Sequence, residues 1–232
     1  MKTIAILQSN YIPWKGYFDL IHDVDEFILY DDVQFTKRDW RNRNQIKTAN
    51  GLLWLTIPVS VSGRFEQSIK SVEVNDSKWA QKHLSSIRHS YSNAPFFKLY
   101  EDWIVDLYDQ CAKYLFLSQI NYQFIAQICD KLNIKTKITW SSEYKLIGDK
   151  TEKLVNICKQ SGASRYLSGP AAKSYINDAL FREAGVDLIY KSYNYPEYQQ
   201  LYGAFTHNVT ILDLLFNCGQ NSPAYIWNGK KI

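Results

Sequence analysis

Thr3-Ile4-Ala5-Ile6-Leu7 and Phe27-Ile28-Leu29-Tyr30-Asp31 are two short apolar runs whose spacing decides the fold. Each has the length and near-unbroken hydrophobic character of a strand buried on both faces. Between them Asn10 and Pro13 mark a turn, and Trp14 to about His22 reads as a helix. Strand, loop, helix, strand is the order of a parallel βαβ unit. Further along, residues 135–140, 165–168 and 186–193 read as strands, alternating with helices over 151–161 and 171–184 that Gly162 and Gly185 close. The expected class is α/β: a Rossmann-like, mostly parallel sheet with helices on both faces.

Two stretches stand outside that alternation. Residues 44–48 and 52–59 flank Ala49-Asn50-Gly51, where Asn-Gly is expected to supply the positive φ angles of a hairpin turn, and 68–74 is expected to join the hairpin as a further strand. From Asp76 the pattern is helical: a helix capped by Asp76 or Ser77 and running to about Tyr91, then two more over 97–115 and 118–132. The organisation expected is one domain over 1–232, with a small antiparallel addition at about 43–75 and a helical insertion at about 76–134. No internal repeat or flexible linker is apparent.

The chain has 232 residues, 46% of them hydrophobic, which excludes a disordered protein. Its seven Trp and seventeen Tyr suit an aromatic core or a ring-binding surface. Cys111, Cys129, Cys158 and Cys218 show no Cys-x-x-Cys spacing and sit among apolar neighbours, so reduced, packed thiols are expected and zinc or disulfides are not. The first apolar run meets Gln8-Ser9-Asn10 too soon for a signal peptide, and no run approaches membrane-spanning length. The protein is expected to be cytoplasmic.

In an open parallel sheet, ligands bind beyond the carboxyl ends of the strands. Gln8 to Trp14, Asp31 to Arg43, Ser141-Ser142-Glu143 and Ser168-Gly169-Pro170 occupy such ends. The window KRDWRNRNQIK, residues 37–47, carries Lys37, Arg38, Arg41, Arg43 and Lys47 against Asp39 alone, so its net +4 equals that of the whole chain. Arginine forks onto phosphate or carboxylate, Asn42 and Asn44 can read sugar or amide groups, and Trp40 can stack on a base or sugar face. A confined anion site, a single-stranded RNA surface and a solvated loop are the three readings. An overall +4 with a pI near 8.7 is modest for a dedicated nucleic-acid binder. After Gly169, Pro170 opens a helix whose Ala171, Ala172 and Lys173 N–H groups could face an anion, or the stretch is an ordinary strand-to-helix turn.

Adjacent Asp31 and Asp32 point to opposite faces of a strand and make no close dyad. One can serve as a base, the other as a partner for Lys37 or Arg38, and no metal is proposed. His83 falls on the helix face shared by Trp79 and Ile87, so it points inward, as a general base or as a hydrogen-bonded core histidine. His207, in the loop before the last helix, is a second catalytic candidate.

Four separated blocks resemble the WbqC-like family: residues 8–18 (QSNYIPWKGYF), Asp31-Asp32-Val33-Gln34-Phe35 running into Arg41-Asn42-Arg43-Asn44-Gln45-Ile46, Tyr166-Leu167-Ser168-Gly169-Pro170, and residues 212–219 (LDLLFNCG). The resemblance spans nearly the whole chain. It implies bacterial O-antigen, lipopolysaccharide or related surface-glycan assembly, with transfer of glycine or another acyl group to a sugar as the implied reaction. A looser fold-level similarity to nucleotide-binding α/β ligases lacks their His-x-Gly-His element at Gln8 to Gly16, so ATP is not expected and no cofactor is assigned.

The resulting expectation is an acyl or aminoacyl transferase acting on an amino sugar or nucleotide-linked sugar, a small anionic substrate. Gln8, Tyr11, Trp14, Lys37, Arg38, Trp40, Arg41, Asn42, Arg43, Asn44, Ser168 and Gly169 would bind it. His83, Asp32 or His207 would act as base, and N–H groups near Gly169 would hold the oxyanion. A non-catalytic glycan or nucleotide-sugar binding protein and an aminoacyl-tRNA-dependent, RNA-linked protein are the alternatives. All rest on one geometric expectation: the basic window, the Gln8 to Trp14 turn and the Ser-Gly-Pro bend share a hollow.

Overall fold

The two apolar runs form neighbouring strands in a computed structural model that describes residues 1–227. β1 (Thr3–Leu7) and β2 (Glu26–Leu29) pair in parallel, from Ile4 opposite Glu26 to Leu7 opposite Leu29, and α1 (Lys15–His22) connects them. β5 (Lys137–Trp140) adds outside β2, while β6 (Arg165–Ser168) pairs with the other edge of β1 and carries β7 (Asp187–Tyr190). The parallel sheet has the order β5-β2-β1-β6-β7. Strand order reverses between β1 and β6, and the crevice beyond their carboxyl ends is where open α/β sheets bind ligands.

Alternating side chains of the strands enter two different cores, which is why these runs are apolar throughout. Ala5, Phe27, Leu29 and Leu167 join α1, α2 (Trp79–Tyr91), α3 (Phe97–Cys111), α4 (Leu117–Lys131) and α7 (Ile211–Cys218). Ile4, Ile6, Ile28 and Tyr166 face α5 (Lys150–Gln160) and α6 (Asp178–Glu183). Helices thus cover both faces. Asp149 starts α5 with a capping box, accepting from Thr151 and Glu152 N–H while the Glu152 carboxylate returns to Asp149 N. All four cysteines are buried and unbridged, and burial pushes each thiol upward, to about 12 for Cys111, Cys129 and Cys158.

β3 (Arg43–Thr48) and β4 (Gly51–Thr56) make the antiparallel hairpin. Its turn differs in detail from expectation. Only Gly51 takes positive φ, at 101°, and the loop proper is Ala49-Asn50, braced by Thr48 Oγ1 on Asn50 N and Gly51 O.

The expected third strand over 68–74 does not form. Its backbone is drawn instead to the loop after β2: Ile69 and Lys70 N–H bond Val33 and Asp31 carbonyls at 2.9 and 3.0 Å, closing a short 3-10 turn, Ile69–Ser71. Among the described residues the segment keeps only isolated bridges, Gln34–Ser68, Val59–Val74 and Glu73–Phe116. The helix expected over 171–184 is likewise two pieces. Pro170–Ser174 is a 3-10 turn, and α6 starts afresh where Asn177 caps Ala179 N.

Candidate functional site

The loop that follows β1 is held in a conformation its residues do not favour. Ile12 has φ of +40°, which a β-branched side chain adopts only under constraint. The constraint is Asn44 on β3, whose buried amide donates to the carbonyls of Tyr11 (3.2 Å) and Ile12 (2.8 Å), while Trp40 O accepts from Tyr11 N at 3.0 Å. The start of α7 closes the same junction: Thr210 and Ile211 N–H, which a helix end leaves without internal partners, bond Gln45 O and Pro13 O at 2.9 and 3.0 Å.

These pieces enclose a cavity of about 200 Å³ lined by Asn10, Pro13, Trp14, Trp40, Asn44, His207, Asn208 and Val209. Trp14 is set by Gly16, since a Cβ there would overlap its ring, and it packs edge-on against Tyr193 and Tyr195 at 5.2 and 5.8 Å. Arg41 donates to Asn10 Oδ1 and pairs with Asp39 at 3.6 Å. That bond fixes the Asn10 amide, whose Nδ2 has no hydrogen-bond partner among the described residues. Burial pulls the Arg41 pKa down, and Asp39 opposes the pull.

His207 is the titratable group of the cavity. Burial and the nearby Lys15 ammonium hold its pKa below the ordinary value, with Glu197 opposing, so it is neutral at neutral pH. Among the described residues neither ring nitrogen has a hydrogen-bond partner, and of the two only Nδ1 is fully buried, which leaves Nε2 open. Lys15 lies behind it, only 4% exposed, between the rings of Tyr195 (5.0 Å), Tyr198 (5.1 Å) and Phe205 (5.9 Å), with Pro196 O accepting at 3.2 Å. Burial lowers its pKa to about 8.

The aromatic cage belongs to the strap 191–210, which has no regular structure and is fastened by side chains. Lys191 pairs with Asp19 (2.8 Å) and Asp23 (2.5 Å), and Tyr195 donates to Asp19 at 2.7 Å. The buried Asp213 carboxylate accepts from Tyr91, Tyr198 and Gln200, each at 2.8 Å. Burial raises the Asp213 pKa, and these donors oppose the rise.

Of the residues singled out in the sequence, Trp14, Trp40, Asn44 and His207 meet in the cavity, with Arg41 behind Asn10. Others serve elsewhere. The Tyr11 ring is buried in the core, its hydroxyl 2.8 Å from His83 Nδ1 and 2.6 Å from Tyr108 Oη, and His83 Nε2 lies 3.1 Å from Thr56 O. Burial lowers the His83 pKa to about 4, with the Thr56 bond opposing. Both ring nitrogens are taken, so this inward histidine is a packed core residue. Asp32, the candidate base, binds Lys70 and Ser141 Oγ at the β2–β5 end, and among the described residues neither it nor Asp31 pairs with Lys37 or Arg38. Asp31 accepts from Ser9 N (2.8 Å) and Ser118 Oγ, and burial raises its pKa.

The basic window likewise divides. Lys47 is buried, donating to Ala204 O at 2.6 Å and Gln200 Oε1 at 3.0 Å, and Asn42 donates to Ile57 O at 2.9 Å. Arg43 lies 4.1 Å over the Trp54 ring and donates to Arg38 O. Lys37 and Arg38 are exposed. The Gln8 carbonyl accepts from Tyr17 Oη at 3.0 Å. Ser168 is buried and Gly169 has an ordinary φ of −69°, and neither lines the cavity. The bend is linked to it through Tyr193, whose hydroxyl stands 3.9 Å from where a Gly169 Cβ would be and whose ring packs on Trp14. Ala172 N–H, expected to be free, bonds Gly169 O at 3.2 Å.

Reasoning from sequence missed Asn10, Lys15 and the strap tyrosines. Asn10 stands in the loop after β1 where such residues were sought and Lys15 opens α1 just beyond it, whereas the cage around Lys15 assembles from segments about 180 positions away.

A model of the WbqC-like protein family matches residues 8–225. The uncharacterized protein Rv1507c of Mycobacterium tuberculosis (strain ATCC 25618 / H37Rv) is 47% identical over 227 residues, covering 97% of this chain and 98% of that protein. No solved structure matches significantly. Among the described residues no helix is long and apolar enough to cross a membrane. With a family model spanning all four sequence blocks and a relative alike from end to end, the chain belongs to the WbqC-like protein family.

Proposed function

We propose that this protein transfers an acyl or aminoacyl group, such as glycine, to the amine of an amino sugar during surface-glycan assembly, with His207 as the general base. The observation that carries the reading is a neutral histidine opening into a cavity walled by two indoles. At about 200 Å³ the cavity lies below the roughly 300–1,000 Å³ of pockets that enclose drug-sized ligands, so it takes one sugar ring or an aminoacyl group and leaves the remainder outside.

Trp14 and Trp40 hold the ring by its faces, and His207 Nε2 accepts a proton from the sugar amine as the amine nitrogen attacks the carbonyl carbon of an activated ester or thioester. The N–C bond forms, the electron pair of the C=O moves to oxygen, and Asn10 Nδ2, aimed by Arg41, donates to that oxyanion. Collapse breaks the bond to the leaving group, which takes its proton from His207. Lys37 and Arg38 supply positive charge for an anionic handle on the acceptor.

Mass spectrometry of products from UDP-linked and dTDP-linked amino sugars, incubated with candidate ester and thioester donors, tests the reading. An acceptor heavier by the acyl group, lost in His207→Ala, supports it. A His207→Ala enzyme that turns over at the wild-type rate overturns the assignment of the base. A second reading, a binding protein without chemistry, is favoured by one observation: no carboxylate orients His207 Nδ1 among the described residues. Under that reading the nucleotide-linked sugar binds and emerges unmodified.

A further inference from the structure

We infer that Trp40 and Trp54 form a second ring subsite at the cavity mouth, which takes the base of a nucleotide-linked acceptor. The inference rests on the acceptor-sugar reading above and names the carrier of that sugar. Trp54 stands on the outer face of the hairpin, where Ile46 and Leu55 of the other face are buried. It packs there against Trp40 and Arg43, outside the core. Its ring centre is 5.4 Å from that of Trp40, tilted by 38°, and the two side chains remain 39% and 42% exposed.

Such exposure of two adjacent indoles forgoes much of their hydrophobic stabilisation, yet both are held in place. Arg43 covers Trp54 at 4.1 Å and is itself tied to the Arg38 carbonyl. The Gln45 amide, directly across the hairpin from Trp54, lies 3.3 Å from both Trp54 Nε1 and Asn208 O, and with its oxygen turned to the indole it accepts from Nε1 and donates to Asn208 O. Asn208 lines the cavity, as does Trp40. The platform thus adjoins the cavity wall through Trp40 itself.

The chemistry of the neighbours selects the ligand. In the same loop as the cavity-lining Trp40, Lys37 and Arg38 are exposed, with no side-chain partner among the described residues. A diphosphate fits those cations, and a planar base stacks on the exposed surface of the Trp40–Trp54 pair at the cavity mouth. A second neutral sugar would leave those cations without a role. An RNA strand needs a track of phosphate-binding cations, whereas Arg41, Arg43 and Lys47 are engaged within the protein.

The test is titration of the 15N-labelled protein with UDP, dTDP, inorganic pyrophosphate and oligouridylate, following the indole N–H signals and measuring affinity by calorimetry. UDP or dTDP should shift Trp40 and Trp54 signals, and Trp54→Ala should weaken that nucleotide at least about fivefold while leaving pyrophosphate affinity unchanged. Exposed Trp54 can be replaced without opening the core, and the wild-type indole shifts stand independently of the variant. Equal binding of pyrophosphate and both nucleotides, or silent indoles, overturns the inference. So does oligouridylate binding far more tightly than UDP with a steep salt dependence. Acyl transfer with silent indoles removes the platform and leaves the transferase. Base-dependent shifts without transfer under any donor do the reverse.

Discussion

Tyr11 Oη donates to His83 Nδ1 across 2.8 Å, joining the loop after β1 to helix α2 in the buried core. The direction follows from the other nitrogen: Nε2 faces the Thr56 carbonyl at 3.1 Å, which only accepts, so Nε2 carries the proton and Nδ1 does not. Tyr11 oxygen is then free to accept from Tyr108. The imidazole is a neutral member of a fully used chain of hydrogen bonds.

This predicts acid sensitivity. The His83 pKa is about 4 when folded, against an ordinary 6.5, so the unfolded chain binds a proton that the native protein refuses. Stability should fall as pH drops from about 6.5 to about 4, by roughly 3 kcal/mol in the limit. His83→Gln, which can keep both hydrogen bonds and does not titrate, should flatten that slope. Urea midpoints measured across this range decide it, and an equal slope in the variant refutes the assignment.

Asn44→Ala removes the donors that hold the Tyr11 and Ile12 carbonyls. Two buried acceptors then lack partners and the positive φ of Ile12 loses its restraint, so a loss of about 2–4 kcal/mol in unfolding free energy is expected. A change below about 0.5 kcal/mol would mean the loop is held by something else.

If His207 is the base, its protonation sets the acid limb of kcat/KM, with activity present above its pKa and lost below it. The limb should lie under pH 6.5, and Lys15→Met, which deletes the adjacent charge, should move it to higher pH. Burial, the larger cause of the depression, persists in that variant, so the limb should stay short of the unperturbed value. A limb that does not respond to Lys15→Met contradicts the electrostatic coupling.

Tyr198→Phe removes one of three donors to the Asp213 carboxylate and loosens the strap from α7. A cost of about 1–3 kcal/mol is expected, as for a hydrogen bond to a buried charge. Hydrogen exchange should quicken over residues 191–210 and remain unchanged in β1 and β2. Faster exchange throughout the sheet would show that the strap supports the whole fold.

The parallel sheet was legible in the sequence because strands buried on both faces must be apolar without alternation, and 165–168 reads as β6 to the residue. The helices α2 to α4 were legible for the same kind of reason, since each has one continuous buried stripe. The segment 68–74 misled because an apolar run states that it is buried and does not state which backbone it bonds. His207 and the Trp14 and Trp40 pair were within reach of sequence reasoning, and the core role of His83 was open until its two partners were known.

The sequence by itself determined the class of fold and the family. Periodicity and local motifs carry that information along the chain. Tertiary structure decided which polar residues are free to act. Of five cations within eleven residues it left Lys37 and Arg38 facing outward and turned Lys47 into an internal tie. The physical reason is that a side chain's chemistry is set by its desolvation and its hydrogen-bond partners, and here those partners come from segments as far away as the strap over residues 191–210.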